Sequence, residues 1–398
     1  MGNEKELIGK IQQALREFDI PAWLFYGFRD LDPIATRILQ FGPHQLATRR
    51  WFYFIPAESE PKRLVHRLES SLLDHLPGSK EVYLKWEQLQ EKVRALLEGV
   101  STVAMQFSEN NAIPHVSKVD AGTIDLVRSC GPKVVSSGDL IQRFEAVWSP
   151  SQVQQHRATA LALTAIVKAA FVQAAAEISS QGESNELRIQ RFILDRFERE
   201  GLLTDHSPIV AVNENSANPH YQPSEADYST IHRDDFLLID LWAKSKQEDS
   251  VHADITWTAF MGERVPEKIS KIFQVVRQAR DRGVDFLHAR FEEKNLPQGW
   301  EVDDIVRENI RQAGYEKFFV HRTGHNLGQE LHGNGVHFDN LETHDTRLVI
   351  PGIGCTIEPG IYLEGEFGVR SEINVFFAQP GPEVTTPPQE EIWRTTDN

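Results

Sequence analysis

The sequence predicts an N-terminal α/β domain, residues 1–148, followed by an α+β domain, residues 149–398. Three observations carry that prediction. Short strand-like runs alternate with helical ones at the start, a well-signalled helix begins near residue 149, and two hairpin-like segments of the second half share one format. A chain of 398 residues is long enough for two or three domains with substantial cores.

In order, residues 4 to 18 space Leu7, Ile8, Ile11, Leu15 and Phe18 as one face of a helix. The runs AWLFYGF, RRWFYFIP, EVYLKW, STVAMQF and PKVVSS then read as strands with loops and helices between them. In EAVWSPSQVQQ, Ser149 is an N-cap and Pro150 a first helical residue, which opens a long Ala-rich helix. A second helix is expected at about 184 to 200, and two more near 266 to 293 and 302 to 313, within a region otherwise of strands and loops.

The segment DDFLLIDLWAKSKQEDSVHADITWTAF places two apolar runs around a polar loop, and each run contains one carboxylate, Asp240 and Asp254, fourteen residues apart. GCTIEPGIYLEGEFGVRSEINVFF repeats the format with Glu358 and Glu372, again fourteen apart. Burying an unpaired carboxylate costs several kcal/mol, so four of them in two matched hairpins point to shared cations. Between the hairpins, HRTGHNLGQELHGNGVH carries His321, His325, His332 and His337. Its glycines argue against a helix, and its spacing is not the H-E-x-x-H arrangement, so any ligand there needs partners from elsewhere. Four carboxylates and one neutral imidazole would balance two divalent ions, and two ions about 3.5–4 Å apart can share a hydroxide and stabilise the intermediate of amide hydrolysis. Oxygen-rich ligation with one nitrogen suits manganese first, with cobalt, iron and zinc as alternatives.

Composition narrows the partners. Lys+Arg 42 against Asp+Glu 58 gives a net charge of −16, which speaks against a nucleic-acid or anionic-membrane partner. Cys130 and Cys355 are the only cysteines, too few for a disulfide framework and consistent with a reducing compartment. MGNEKELIGKIQQALREF has no apolar signal core, Glu6 stands where a myristoylation motif wants Ser or Thr, and no apolar run is expected to approach the roughly 18 residues of a membrane span. A soluble, cytoplasmic protein is expected.

The order Asp, Asp, His, Glu, Glu, carried by LLIDLWA, HADITWT, HRTGHNLG, CTIEPGIY and GEFGVRSE, resembles the pita-bread metallopeptidases, which include methionine aminopeptidase, aminopeptidase P and prolidase. The first 145 or so residues resemble the N-terminal domain of creatinase, aminopeptidase P and prolidase. The resemblance implies a creatinase-like α/β domain before a pita-bread catalytic domain. It implies metal ligands Asp240, Asp254, His325, Glu358 and Glu372, with Asp254 and Glu372 bridging and Glu358 doubling as proton shuttle. It gives His332 a place at the tetrahedral centre, His220 a role in binding and proton traffic, and His321 a substrate contact. Arg370 would form a salt bridge within the site or orient substrate. His337 and His344 have no counterpart and are expected at the surface, and His252 is expected to pack. Asn326 stands where many members have Gly or Trp, and Gly333 where an acidic residue is common; the loop between the aspartates is about three residues longer than usual. The extra domain argues against a methionine aminopeptidase. The complete ligand set argues against a creatinase-like amidinohydrolase and a non-enzymatic binding module. The expectation is a Xaa-Pro dipeptidase acting on proline-containing dipeptides or short peptides, with aminopeptidase P as the alternative and a homodimer as the assembly.

Overall fold

The computed structural model describes residues 2–29, 31–42 and 47–396. The chain divides into two compact units, Met1–Glu145 and Ala146–Asn398, slightly upstream of the expected division after residue 148.

The first unit is built on a six-stranded sheet of order β4-β3-β2-β1-β5-β6. Helix α1 (Gly2–Glu17) precedes β1 (Ala22–Gly27), and α2 (Pro33–Ile38), capped by Asp32, precedes β2 (Trp51–Pro56) and β3 (Lys62–His66). β4 (Ser79–Tyr83), α3 (Trp86–Leu96), β5 (Thr102–Met105), α4 (Ala121–Ser129), β6 (Lys133–Ser136) and the short α5 (Gly138–Ile141) complete it. Alternate residues of β1 feed two cores: Trp23 and Phe25 lie on one face with α1, while Leu24 and Tyr26 lie on the other with α3 and α4. The strand reading missed β3, whose Lys62, Arg63 and His66 hide its two buried residues, Leu64 and Val65.

The second unit opens on α6 (Pro150–Gln181). Ser149 and Gln152 form a reciprocal capping box, Pro150 sits at the first turn, and Gly182 ends the helix at φ 87°, where a side chain would be strained. Contrary to expectation, α6 is long and apolar enough by composition to cross a membrane; half of its most apolar stretch is buried inside the protein. The buried side chains Ala160, Leu163, Val167, Ala170, Phe171 and Ala174 recur at helical spacing and share a core with Ile239, Leu241, Ile255 and Trp257 of the sheet.

After β7 (Ser184–Asn185), α7 (Glu186–Arg199), β8 (Leu202–Leu203), β9 (Ile209–Val212) and β10 (Thr230–Ile231) comes the long antiparallel pair β11 (Phe236–Ser245) and β12 (Ala253–Phe260). Pleating sends Ile239, Leu241 and Ile255 towards α6 and Asp240, Trp242, Asp254 and Thr256 to the opposite face. That face meets a second layer made of α8 (Glu267–Glu292), α9 (Gly299–Gln312) and the strands β13 (Asn326–Leu327), β14 (Gly354–Ile357), β15 (Gly360–Leu363), β16 (Phe367–Arg370), β17 (Ile373–Ala378) and β18 (Gly381–Val384). β19 (Trp393–Arg394) closes the chain beside β12. Helix α9 begins at Gly299 rather than 302, because Gln298 and Glu301 build a capping box ahead of Val302.

Candidate metal centre

The two hairpins deliver their carboxylates differently. In β11–β12, Asp240 faces Thr256 and Asp254 faces Trp242, so the aspartates sit diagonally on one face of an unbroken ladder. In the second hairpin, Ile357 pairs with Ile373 and Gly360 with Arg370, which sets Glu358 opposite Glu372 in a gap between two ladders. Both glutamates therefore lie just outside the strands, where the expected apolar runs are broken by Pro359 and Ser371.

His325 arrives on the edge of the same sheet. Its backbone N–H donates to Thr356 Oγ1 at 3.0 Å and its carbonyl accepts from Thr356 N–H at 2.9 Å. Gly324 is required there, because a Cβ would stand 2.1 Å from the Thr356 carbonyl oxygen. Asn326 explains its own departure from the family pattern: its side chain donates to Gly354 O at 2.9 Å and accepts from Gly335 N–H at 2.8 Å, pinning the glycine-rich loop against β14.

The side chains converge. One donor atom each of Asp254, His325 and Glu372 lies within 4.8 Å of the others, and all three residues are buried. His325 Nε2 stands 3.6 Å from Asp254 Oδ2 and 3.4 Å from Glu358 Oε1. Asp240 joins through Arg370, whose Nη2 lies 2.6 Å from its Oδ2. Four carboxylates against one guanidinium leave 4 − 1 = 3 negative charges when all are ionised. Burial and mutual repulsion push Asp254 and Glu372 well above the ordinary carboxylate range, burial raises Asp240 against the pull of Arg370, and burial raises Glu358 to about 7. Burial, followed by the neighbouring His332, holds His325 well below its usual value.

A divalent cation fits this arrangement. One oxygen each of Asp240, Asp254 and Glu372 is buried and accepts no hydrogen bond from the described residues. His325 Nδ1 is 3.2 Å from the Asn326 carbonyl, to which it donates, so Nε2 turns a bare lone pair towards two carboxylates. Acceptors facing acceptors in a buried site are repulsive until a cation stands between them.

Around this centre, a cleft of about 1040 Å³ brings together all nine residues singled out by the sequence. The exposed His332 sets its ring edge-on to His325, with centroids 4.3 Å apart. His220 is exposed, between Pro219 and Tyr221 on the loop that follows β9. His321 and Arg370 both line the cleft, and Arg370 forms the salt bridge within the site that the sequence allowed, to Asp240. His321 Nδ1 donates to Arg322 O at 2.7 Å, so its Nε2 accepts from Tyr362 O–H, also at 2.7 Å. The Tyr362 oxygen accepts in turn from Arg370 Nη1 at 3.0 Å, and Arg370 Nε donates to Thr256 Oγ1 at 2.9 Å. Burial and the charge of Arg370 lower His321 to about 3, so it is a neutral link in this chain.

His337 corrects the surface expectation. It is fully buried, with Nδ1 accepting from Asn326 N–H and its own N–H donating to Asp345 Oδ2. His344 is exposed as expected. His252 packs just before β12, its backbone and ring both against Gly328 O and its carbonyl accepting from His156.

Sequence reasoning missed three residues that knit the hairpins together. Thr256 Oγ1 donates to Glu372 Oε2 at 2.8 Å, Asn374 brackets the backbone N–H and carbonyl of Asp254, and Tyr362 links Arg370 to His321. Their signal was a polar residue two or four positions from a ligand, inside an apolar run.

The comparisons follow the geometry. Residues 156–378 match metallopeptidase family M24. This chain belongs to that family. A Xaa-Pro dipeptidase of Pyrococcus furiosus is 33% identical over 184 residues, which cover 46% of this chain and 48% of that relative, so the match spans about half the length of each. The dipeptidase PepE of Mycobacterium ulcerans superposes with a TM-score of 0.68 at 19% identity, covering 98% of this chain and 97% of that one. A prolidase of Thermococcus sibiricus gives 0.63 at 22%, covering 98% and 99%. At these identities the likeness is one of fold. This M24 chain has the pita-bread architecture of its neighbours, preceded by the same kind of α/β unit.

Proposed function

We propose that this M24 protein is a dinuclear-metal peptidase that hydrolyses the Xaa-Pro bond of dipeptides. The observation that carries the reading is the convergence of three buried carboxylates, the partly exposed Glu358 and one neutral imidazole on a cleft large enough for a short peptide. The dipeptidase name of the Pyrococcus furiosus relative supports the substrate class. Asp240, Asp254, His325, Glu358 and Glu372 would hold the two ions, manganese foremost, since oxygen donors predominate.

Bound there, the ions supply Lewis-acid activation of the attacking water and of the scissile carbonyl. Glu358, at the gap between the two ladders, can take a proton and return it to the proline nitrogen. That nitrogen belongs to a tertiary amide and leaves only when protonated. His332, beside His325, offers an N–H to the developing oxyanion, and His220 meets the peptide from the facing loop. Arg370 holds Asp240 in place, and His321 holds Tyr362 against Arg370.

The same reading places the protein in the cytoplasm, supported by two unpaired cysteines, and as a homodimer whose partner copy closes the cleft. The test is steady-state hydrolysis of Ala-Pro and Leu-Pro against Ala-Pro-Ala and a proline-free dipeptide, using metal-stripped protein reloaded with Mn²⁺. Turnover of the Xaa-Pro dipeptides alone is expected. Cleavage of the tripeptide would move the reading to an aminopeptidase P, and cleavage of the proline-free control would remove the proline requirement.

A further inference from the structure

At the start of α7, away from the metal centre, Glu186 is completely buried, yet no cation pairs with it among the described residues. Both its oxygens are fully used. Oε1 accepts from Val212 N–H at 2.7 Å and from Asn215 Nδ2 at 2.9 Å. Oε2 accepts from Tyr221 O–H at 2.6 Å and from Ser229 N–H at 2.7 Å, and the Glu186 N–H donates to Ser229 O.

Four neutral dipoles thus solvate one buried charge, and all four come from the segment 212–229. A carboxylate without a counter-ion is retained inside a protein only where every acceptor site is satisfied, so breaking one bond penalises the whole set. The segment begins at the end of β9, which pairs with β11 beside Asp240, and returns at Ser229. Its tip carries Pro219 and His220 into the cleft, and Tyr221, the next residue, is the side chain tied to Glu186. A second tie, Gly368 N–H to Ser216 Oγ at 2.8 Å, fastens the same segment to β16 two residues before Arg370.

We propose that Glu186 is a positioning residue that acts through Tyr221 to set where His220 stands over the metal centre. The inference rests on the role given to His220 above. The tie crosses from a rigid helix start to the residue adjoining a catalytic-cleft histidine, so loosening it displaces His220 and leaves the five metal-site residues in place. A carboxylate suits the task better than an amide, because all four partners are donors and the NH₂ group of a glutamine would face two of them.

Tyr221→Phe removes one hydrogen bond with almost no change of shape, and is the first variant to make. In the Mn²⁺-loaded enzyme it should lower kcat for Ala-Pro about tenfold and leave Mn²⁺ affinity unchanged. In a His220→Ala background the same substitution should change kcat less than twofold, because the residue through which it acts is gone. Equal effects in both backgrounds would overturn the proposal, since a purely structural weakening adds independently. The NMR signal of the His220 ring, assigned by its loss in His220→Ala, should also shift in Tyr221→Phe, and an unmoved signal overturns the proposal even in protein that cleaves nothing. Absence of Xaa-Pro turnover in the wild type is a separate outcome, which strikes the dipeptidase reading and leaves the NMR test to decide the positioning role. Glu186→Gln should reproduce the Tyr221→Phe signature more strongly; a Gln variant with wild-type kcat and an unshifted His220 signal also overturns it.

Discussion

The two carboxylate hairpins have the same spacing and different mechanics. In β11–β12, Asp240 and Asp254 ride on a continuous ladder whose other face is packed against α6, so the backbone fixes them and the helix core pays for their burial. Glu358 and Glu372 stand across from each other where the ladder of β14 and β17 stops and that of β15 and β16 begins. Glu358 is the least buried of the four, with 15% of its side chain exposed. A side chain in a gap has room to move a proton, whereas one on an intact strand holds still. On the proposed reading, the comparison puts anchoring on the first hairpin and proton handling on the second.

The sharpest way to break that division is Glu358→Gln. It should lower turnover on the order of 10³-fold, the scale of a lost general acid–base, while the melting temperature stays close to wild type. A variant with near-normal kcat would remove Glu358 from the chemistry.

Arg370 comes next, because it is the one guanidinium that compensates the first hairpin from the second. Arg370→Met leaves Asp240 buried without its partner and should destabilise the metal-free protein by about 3 kcal/mol in urea unfolding. Saturating Mn²⁺ should recover part of the loss by supplying the missing positive charge; equal losses with and without Mn²⁺ would disconnect Asp240 from the metal.

Gly324→Ala tests the strand that brings the imidazole. The new methyl would meet the Thr356 carbonyl at 2.1 Å, and overpacking of this kind costs about 1–3 kcal/mol. Weaker Mn²⁺ binding should accompany the loss, read by calorimetry, because the clash pushes His325 away from β14.

The last test concerns the rear support of the first hairpin and is read only through pH. His156 Nδ1 donates to the His252 carbonyl just ahead of β12, and burial lowers His156 to about 4, below its ordinary value of 6.5. The unfolded chain binds the proton first, so this contribution to stability is complete above about pH 6.5 and is lost as pH falls towards 4. Wild type should therefore lose stability relative to His156→Phe across that window. A pH-independent difference between the two would show that His156 is not held neutral.

Much of the second unit was readable because its signals are local. Ser149, Pro150 and Gln152 start α6 through bonds spanning three residues, and the apolar periodicity of the helix is fixed by its own pitch. The carboxylates stood out because charge inside an apolar run needs a reason at any position in any fold. Strand β3 escaped, since five residues with three basic side chains give period and propensity little to work on.

The sequence by itself made the four carboxylates conspicuous, and the family resemblance added His220, His321, His325, His332 and Arg370; all nine line one cleft. Only the tertiary structure decided what each one does there. Register set one carboxylate pair diagonally and the other face to face, a property of hydrogen-bonded partners far apart in the chain. The same long-range contacts buried His337, engaged both ring nitrogens of His321, and gave Glu186 its four donors. Pattern in a sequence reports what a residue can do, and partners brought from a hundred positions away determine which of those things remains available to it.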